Sequence, residues 1–279
     1  MTQTELKPRP PSAESLGEAP GRGRLAGRRI LVVGGGQRVF DAATDPIGNG
    51  RAMCLLYARE GAKVAVADAN LASAEQTVAL IREAGGQAEA VEADVTVEAD
   101  MVRMFEEASA ALRGGLDGLV YNVGTFGGTG LRGFDLEEWD RIFAINLRGA
   151  MLCCREGLER LEAGSPIVLI SSIAALRAGS QLVAYDTSKA ALAALMRHSA
   201  LAGGKRGIRV NTVYPGLVDT PNGRTAGAGR PSRGKGEHLA FGRQATAWEI
   251  AYATLFFMSD ESVYVTSQQL AVDSGASGL

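Results

Sequence analysis

Three side chains in the second half of the chain could move a proton together. Tyr185-x-x-x-Lys189 sets a phenol and an ammonium one helical turn apart on one face. A phenol with its ordinary pKa of about 10 is a poor base at neutral pH, and a neighbouring cation favours the phenolate. A core tyrosine beside a surface lysine would give the same spacing through packing alone. Ser172 argues for chemistry, because it follows the apolar run Ile167–Ile170 at the carboxyl end of an expected strand. Ligands bind at such ends in open α/β sheets, so a hydroxyl there can meet the phenol of the next helix. Ser171 is an adjacent candidate for the same role. Asn146 lies inside a long helical window, where asparagine is mildly unfavourable without a reason to be there.

The first half carries a different chemistry. The apolar run Ile30–Val33 leads into Gly34-Gly35-Gly36, and Ile47-Gly48-Asn49-Gly50 then opens a helix. Glycines between a strand and a helix let backbone N–H groups approach a pyrophosphate at the positive helix end, although a tight turn would also use them. Asp68 closes the second apolar run, where a carboxylate would accept hydrogen bonds from ribose hydroxyls and repel a 2′-phosphate. That favours NAD(H), with NADP(H) still open because Arg38 could reach a 2′-phosphate. Asp68 could otherwise be a helix N-cap or turn residue. Asp45-Pro46 reads as an N-cap followed by a first-turn proline, with Arg38 or Arg51 to neutralise the carboxylate.

Positioning these groups requires a scaffold. Short apolar runs near residues 30–33, 63–67, 88–91, 116–120, 166–170, 208–213 and 269–272 alternate with helical windows. The windows fall at 48–60, 70–84, 97–113, 135–163, 184–203 and 247–258. This alternation predicts βαβ units, hence a doubly wound parallel sheet of about seven strands with helices on both faces, an α/β Rossmann-type fold. No linker interrupts it, so residues 25–279 are expected to form one domain. Residues 1–24, rich in Pro, Gly and charge, are expected to be a flexible tail. Pro221–Ala245 reads as a long irregular lid or binding loop.

Composition narrows the classes. Of 279 residues, 46% are hydrophobic, and 29 basic residues nearly balance 31 acidic ones for a net charge of −2. A nucleic-acid binder needs a marked basic excess. Three cysteines and two histidines provide neither a disulfide framework nor a zinc ligand set, so no metal is expected. No apolar run approaches the roughly 18 residues that span a bilayer. The expectation is a soluble cytoplasmic protein with reduced thiols, Cys153 and Cys154 being packing residues and His198 and His238 lacking catalytic partners.

On these motifs the chain resembles the short-chain dehydrogenase/reductase family from Leu25 to Gly278. The family's T-G-x-x-x-G-I-G appears as Val33-Gly34, a loop longer by eight residues, then Pro46-Ile47-Gly48. The resemblance assigns Gly34, Ile47 and Gly48 to the cofactor. Asp94-Val95 matches its adenine-contacting pair, and Asn122-Val123-Gly124 its N-A-G turn, with Asn122 and Gly124 against the cofactor. Pro215-Gly216 would flank the nicotinamide, with Val218 and Thr220 holding the carboxamide. Ser267 and Ser274 stand where the family has glycine. The resemblance selects Ser172 over Ser171 and implies a catalytic set of Asn146, Ser172, Tyr185 and Lys189. The implied reaction is hydride transfer between a nicotinamide cofactor and a secondary alcohol or ketone. Tyr185 is then the general acid/base, Ser172 stabilises the substrate oxygen, Lys189 tunes the phenol and binds the ribose, and Asn146 holds a relay water. Substrate contacts are expected from 125–129, 173–183 and 221–245, with Phe126, Leu182 and Leu217 as an apolar wall. The family's assembly implies a homotetramer, or failing that a dimer. A catalytically silent nucleotide-binding member and an NADPH-dependent 3-oxoacyl-thioester reductase remain as alternatives.

Overall fold

The computed structural model describes residues 10–177, 179–227, 236 and 239–278. In chain order the strands are β1 (Arg29–Val33), β2 (Lys63–Asp68), β3 (Gln87–Glu92), β4 (Gly118–Tyr121) and β5 (Pro166–Ile170). They continue with β6 (Arg209–Pro215), β7 (Val218–Asp219), β8 (Ala245–Thr246) and β9 (Gln269–Val272). Helices α1 (Ala13–Leu16), α2 (Asn49–Arg59), α3 (Leu71–Glu83), α4 (Glu98–Ala111) and α5 (Leu136–Phe143) precede α6 (Gly149–Arg160), α7 (Val183–Gly203), α8 (Pro221–Gly227) and α9 (Ala247–Met258).

The inner strands β1, β2, β4 and β5 are largely apolar on both faces because each face meets helices, whereas the edge strands β3 and β9 carry exposed residues. In β1, Leu31 and Val33 enter one core while Ile30 and Val32 enter the other. In β5, Ile167 and Leu169 divide from Val168 and Ile170 in the same way. The first core is closed by α4, α6 and α7 through residues such as Phe105, Cys153 and Met196. The second is closed by α2, α3 and α9 through Met53, Val78 and Leu255. The sheet has seven strands in the order β3-β2-β1-β4-β5-β6-β9, and every pairing is parallel. The direction of winding reverses between β1 and β4, which opens a crevice at the carboxyl ends of the strands. The chain is thus a single α/β Rossmann-like domain. No helix among the described residues is long and apolar enough to cross a membrane.

Three local expectations are corrected. The window 135–163 is not one α-helix: residues Ala144–Arg148 form a π-helical turn between α5 and α6. Such a turn leaves carbonyls in search of donors. Here the buried Tyr121 hydroxyl donates to the Ile145 carbonyl at 2.5 Å.

Nor is the segment before Leu25 a loose tail where it is described. Helix α1 is capped by Ser12, and the chain then docks on the ends of α2 and α9. The N–H groups of Arg22 and Arg24 donate to Glu60 Oε2 at 2.9 and 3.0 Å, and the Arg24 guanidinium donates to Glu60 Oε1 at 2.7 Å. Burial pushes the Glu60 carboxyl up, but these donors outweigh it and hold the group below the usual carboxylate range. Arg59 donates to the carbonyls of Gly17 and Ala19 and stacks over Trp248. Composition alone misread the segment because its ordering comes from partners on distant elements. Residues 1–9 lie outside the described residues.

The expected irregular stretch 221–245 begins as α8 and ends in β8, which pairs with β7. Arg230, Arg233, Lys235 and His238 lie outside the described residues.

Candidate active site

A cavity of about 1330 Å³ occupies the crevice, lined from Gly34 and Asp68 at one end to Tyr185, Leu217 and Ala276 at the other. Tyr185 stands in the first turn of α7, so the next turn carries Lys189 beside it. Lys189 Nζ lies 5.9 Å from the Tyr185 ring centroid. It donates to the carbonyls of Ile170 at 2.9 Å and Val123 at 3.2 Å, at the ends of the two central strands. Neither partner is a carboxylate, and burial lowers the ammonium pKa from 10.5 to about 8. Gly124 lies close beside it, and a Cβ there would stand 3.0 Å from Lys189 Nζ.

The two serines after β5 separate in role. Ser171 Oγ donates to the Lys189 carbonyl at 2.8 Å and joins the strand end to α7. Ser172 lines the cavity and accepts from the Ala174 N–H at 3.2 Å, capping a short 3₁₀ turn. Asn146 is fully buried and does not line the cavity. Its Oδ1 accepts from the Thr125 N–H at 2.8 Å, and its Nδ2 donates to the Thr125 carbonyl and Ser188 Oγ, both at 2.9 Å. The π-turn aims Asn146 at these partners. From there it locks the segment after β4 that holds Thr125 and Phe126 to the helix bearing Tyr185.

At the other end, Gly34 has φ +80°, and a Cβ there would sit 3.1 Å from the Val123 nitrogen. Asn122 Nδ2 donates to the Gly34 carbonyl at 2.9 Å, so this asparagine braces the glycine turn with its side chain. The eight-residue excursion leaves the helix entrance intact because Gln37 ties its neck. The Gly48 N–H donates to Gln37 Oε1 at 2.8 Å, and Gln37 Nε2 donates to the Pro46 carbonyl at 3.3 Å. The N-cap of α2 is Gly48, not Asp45. Asp45 instead accepts from the N–H groups of Phe40 and Asp41 inside the excursion. Arg51 donates to Thr77 and Gln76, so it does not neutralise Asp45.

Asp68 stands at the cavity rim. Its two oxygens accept from the N–H groups of Gly36 (3.1 Å) and Asn70 (3.0 Å), and Asn70, not Asp68, caps α3. Asp94 lines the cavity and accepts from Thr96 N and Oγ1 at 2.8 and 2.7 Å. Val95, Pro215, Gly216, Val218 and Thr220 also line it, whereas Ile47 packs against the second core and does not. Thr220 Oγ1 accepts from the Gly223 N–H at 3.0 Å, capping α8.

Above Tyr185, the Phe126 ring stands edge-on at 6.3 Å, and Leu182 and Leu217 complete an apolar wall. Arg177, from the expected 173–183 segment, lines the cavity, and so do Arg141 and Ser274–Ala276, to which the sequence did not point. Arg177 donates to the Ala276 carbonyl, a contact between segments far apart in the chain. Ser267 and Ser274 adopt φ +61° and +57°, so both follow the path a glycine would take. Cys153 and Cys154 are buried, and burial pushes the Cys154 thiol up to about 12. No cluster of His, Cys, Asp and Glu that could hold a metal occurs among the described residues.

Comparisons with known proteins agree with this geometry. Residues 43–277 match a family model described as "Enoyl-(Acyl carrier protein) reductase". The chain is 34% identical to cyclopentanol dehydrogenase of Comamonas sp., over 91% of this chain and 98% of that protein. It is 33% identical to 2-(S)-hydroxypropyl-CoM dehydrogenase 3 of Xanthobacter autotrophicus, over 92% and 99%. A short-chain dehydrogenase/reductase structure from Burkholderia xenovorans superposes with a TM-score of 0.84 at 33% identity, over 92% of this chain and 99% of that one. The chain belongs to the short-chain dehydrogenase/reductase family and is a nicotinamide-dependent oxidoreductase.

Proposed function

We propose that the protein interconverts a secondary alcohol and a ketone, with NAD(H) preferred and Tyr185 as the proton carrier. The observation that carries this reading is Tyr185 and Lys189 facing one cavity together with Ser172, beneath an apolar wall. The cavity fits a dinucleotide: the turn at Gly34 has no room for a side chain, and Gly48 opens α2 with its N-terminus on the cavity. Gly34, Gly48 and Asn122 would hold the pyrophosphate end, and Asp94 and Val95 the adenine. Pro215, Gly216, Val218 and Thr220 would hold the nicotinamide. When bound, the nicotinamide supplies the hydride acceptor or donor.

Tyr185 takes the hydroxyl proton in the oxidative direction and returns it in the reductive one. Lys189 keeps a positive charge beside the phenol and has a further N–H for a ribose hydroxyl. Ser172 donates to the substrate oxygen and steadies its developing charge. Asn146 acts from behind, fixing Thr125 and Ser188, so that wall and helix keep their spacing. The side chain of Asp68 presents negative charge at the rim, where a 2′-phosphate would be repelled. Arg38 lines the same rim and is the feature that would favour NADPH instead.

The names of the relatives support a CH–OH substrate, and the Phe126–Leu182–Leu217 wall supports an apolar one. Leu270, Phe256 and Tyr264 are exposed around the edge strand β9, which supports assembly into a homotetramer, or a dimer as the smaller alternative. A cytoplasmic location accords with three buried free thiols.

The test is cofactor absorbance with a panel of cyclic and linear secondary alcohols and their ketones. Turnover with NAD⁺, lost by about 10³-fold in Tyr185→Phe, is the expected result. Binding of NADH with no turnover across the panel would favour a silent member of the family. Tighter binding of NADPH than NADH would overturn the role given to Asp68, and turnover confined to 3-oxoacyl thioesters would move the substrate class.

A further inference from the structure

The eight additional residues of the glycine loop do not simply project into solvent. Arg224, on α8, spans from that excursion to the nicotinamide end of the cavity. Its Nε and Nη2 donate to Asp219 Oδ1 and Oδ2 at 2.7 and 3.0 Å, and its Nη1 donates to the Thr44 carbonyl at 2.7 Å. Asp219 lies between Val218 and Thr220, and α8 lines the cavity through Pro221, Asn222, Gly223 and Ala226. Thr44 is held in turn: its hydroxyl donates to Asp41 Oδ2 at 2.7 Å, and the Asp45 carboxylate gathers the N–H groups of Phe40 and Asp41. The neck of the same excursion is clamped by Gln37, which with Arg38 lines the cavity. One guanidinium therefore ties together the segments that wall the two ends of the cavity.

We propose that Arg224 is a positioning residue that latches the inserted loop 38–45 to α8, so that the insertion retains the bound dinucleotide. The proposal rests on the nicotinamide reading of the cavity. A planar guanidinium with five donors can satisfy a bidentate carboxylate and a separate carbonyl at once, whereas a lysine ammonium cannot. A dinucleotide held along the cavity would lie between both walls, and its release would then require them to part. Loss of a hydrogen bond from a charged group changes such an equilibrium by about tenfold.

The experiment follows NADH fluorescence in stopped flow as bound NADH is chased by excess NAD⁺. The proteins are the full-length parent, Arg224→Met, Arg224→Lys, a variant lacking residues 38–45, and that deletion combined with Arg224→Met. Release about tenfold faster in Arg224→Met, Arg224→Lys and the deletion is expected, with the combined variant no faster than the fastest of them. Lack of additivity is the signature of one shared latch. A parent-like rate in Arg224→Met would overturn the proposal, as would effects that multiply in the combined variant. A parent-like rate in Arg224→Lys would also overturn it, by showing that the Asp219 ion pair alone matters. Those outcomes leave the nicotinamide reading intact, because NADH still binds. A parent that binds neither NADH nor NADPH overturns both readings.

Discussion

The two ends of the cavity achieve order by opposite routes. At the proposed catalytic end, Ser172, Tyr185 and Lys189 sit on a strand end and a 21-residue helix, and the parts are joined by buried bonds such as Ser171 to the Lys189 carbonyl. At the proposed phosphate end, a loop is lengthened and restitched: Gln37 closes its neck, and Arg224 holds its far side. A constellation that performs proton transfer tolerates little displacement, because reactivity depends steeply on alignment. A surface that receives a pyrophosphate needs only N–H groups at a helix entrance, and these survive an excursion whose neck is closed. Insertions are therefore admissible at one end and not at the other.

The largest effect should come from breaking the catalytic end. Lys189→Met is expected to lower kcat by about 10²-fold, measured at saturating cofactor. The same variant gives a stability signature. Lys189 in the folded protein has its pKa lowered to about 8 from 10.5, so between those values the unfolded chain binds more protons. Parent stability relative to Lys189→Met should therefore rise as pH increases from 8 to 10.5, and chemical unfolding across that range checks it. A constant difference would contradict the burial of a charged amine.

Glu60→Gln serves as a control away from both ends. It weakens the docking of Arg22 and Arg24 and should destabilise by about 2 kcal/mol at pH 7 in urea unfolding. The lowered Glu60 pKa stabilises the fold above the unfolded value near 4.5, and that contribution fades as pH falls through the folded value. Activity at low temperature should remain near the parent's; a selective loss at one end would tie the docked segment to function.

Gln37→Leu probes the restitched loop. It removes both neck bonds, and NADH affinity by titration should fall about tenfold while the Tyr185 pH–rate profile is unchanged. An equal loss of kcat would mean the ends are not independent. The smallest effect belongs to Ser267→Gly, which relieves a left-handed backbone. A gain of at most about 1 kcal/mol, seen as a Tm rise of a few degrees, is expected.

Much of this arrangement was legible in advance. The alternation of apolar runs and amphipathic windows located all seven strands of the main sheet to within a few residues; for the inner strands this is because a strand buried on both faces has little choice of composition. Tyr185, Lys189 and Ser172 were readable because a helical turn and a strand end impose fixed local spacings. The π-turn at Ala144–Arg148 was not, since the Tyr121 hydroxyl that bonds its Ile145 carbonyl stands on another element. Arg141 and the segment Ser274–Ala276 carry no local motif that would place them on the cavity.

The amino-acid order by itself determined which segments become strands and helices and which phenol, amine and hydroxyl can meet, because those are properties of short-range periodicity. Tertiary structure alone decided that Ser171 is spent on the Lys189 carbonyl, and that Asn146 works through Thr125 and Ser188. It alone docked the segment around Arg24 and seated Arg224 between Asp219 and Thr44. Each of those outcomes depends on a hydrogen-bonding partner many residues away. Such a partner leaves no periodic trace, and only the packed sheet brings it within reach.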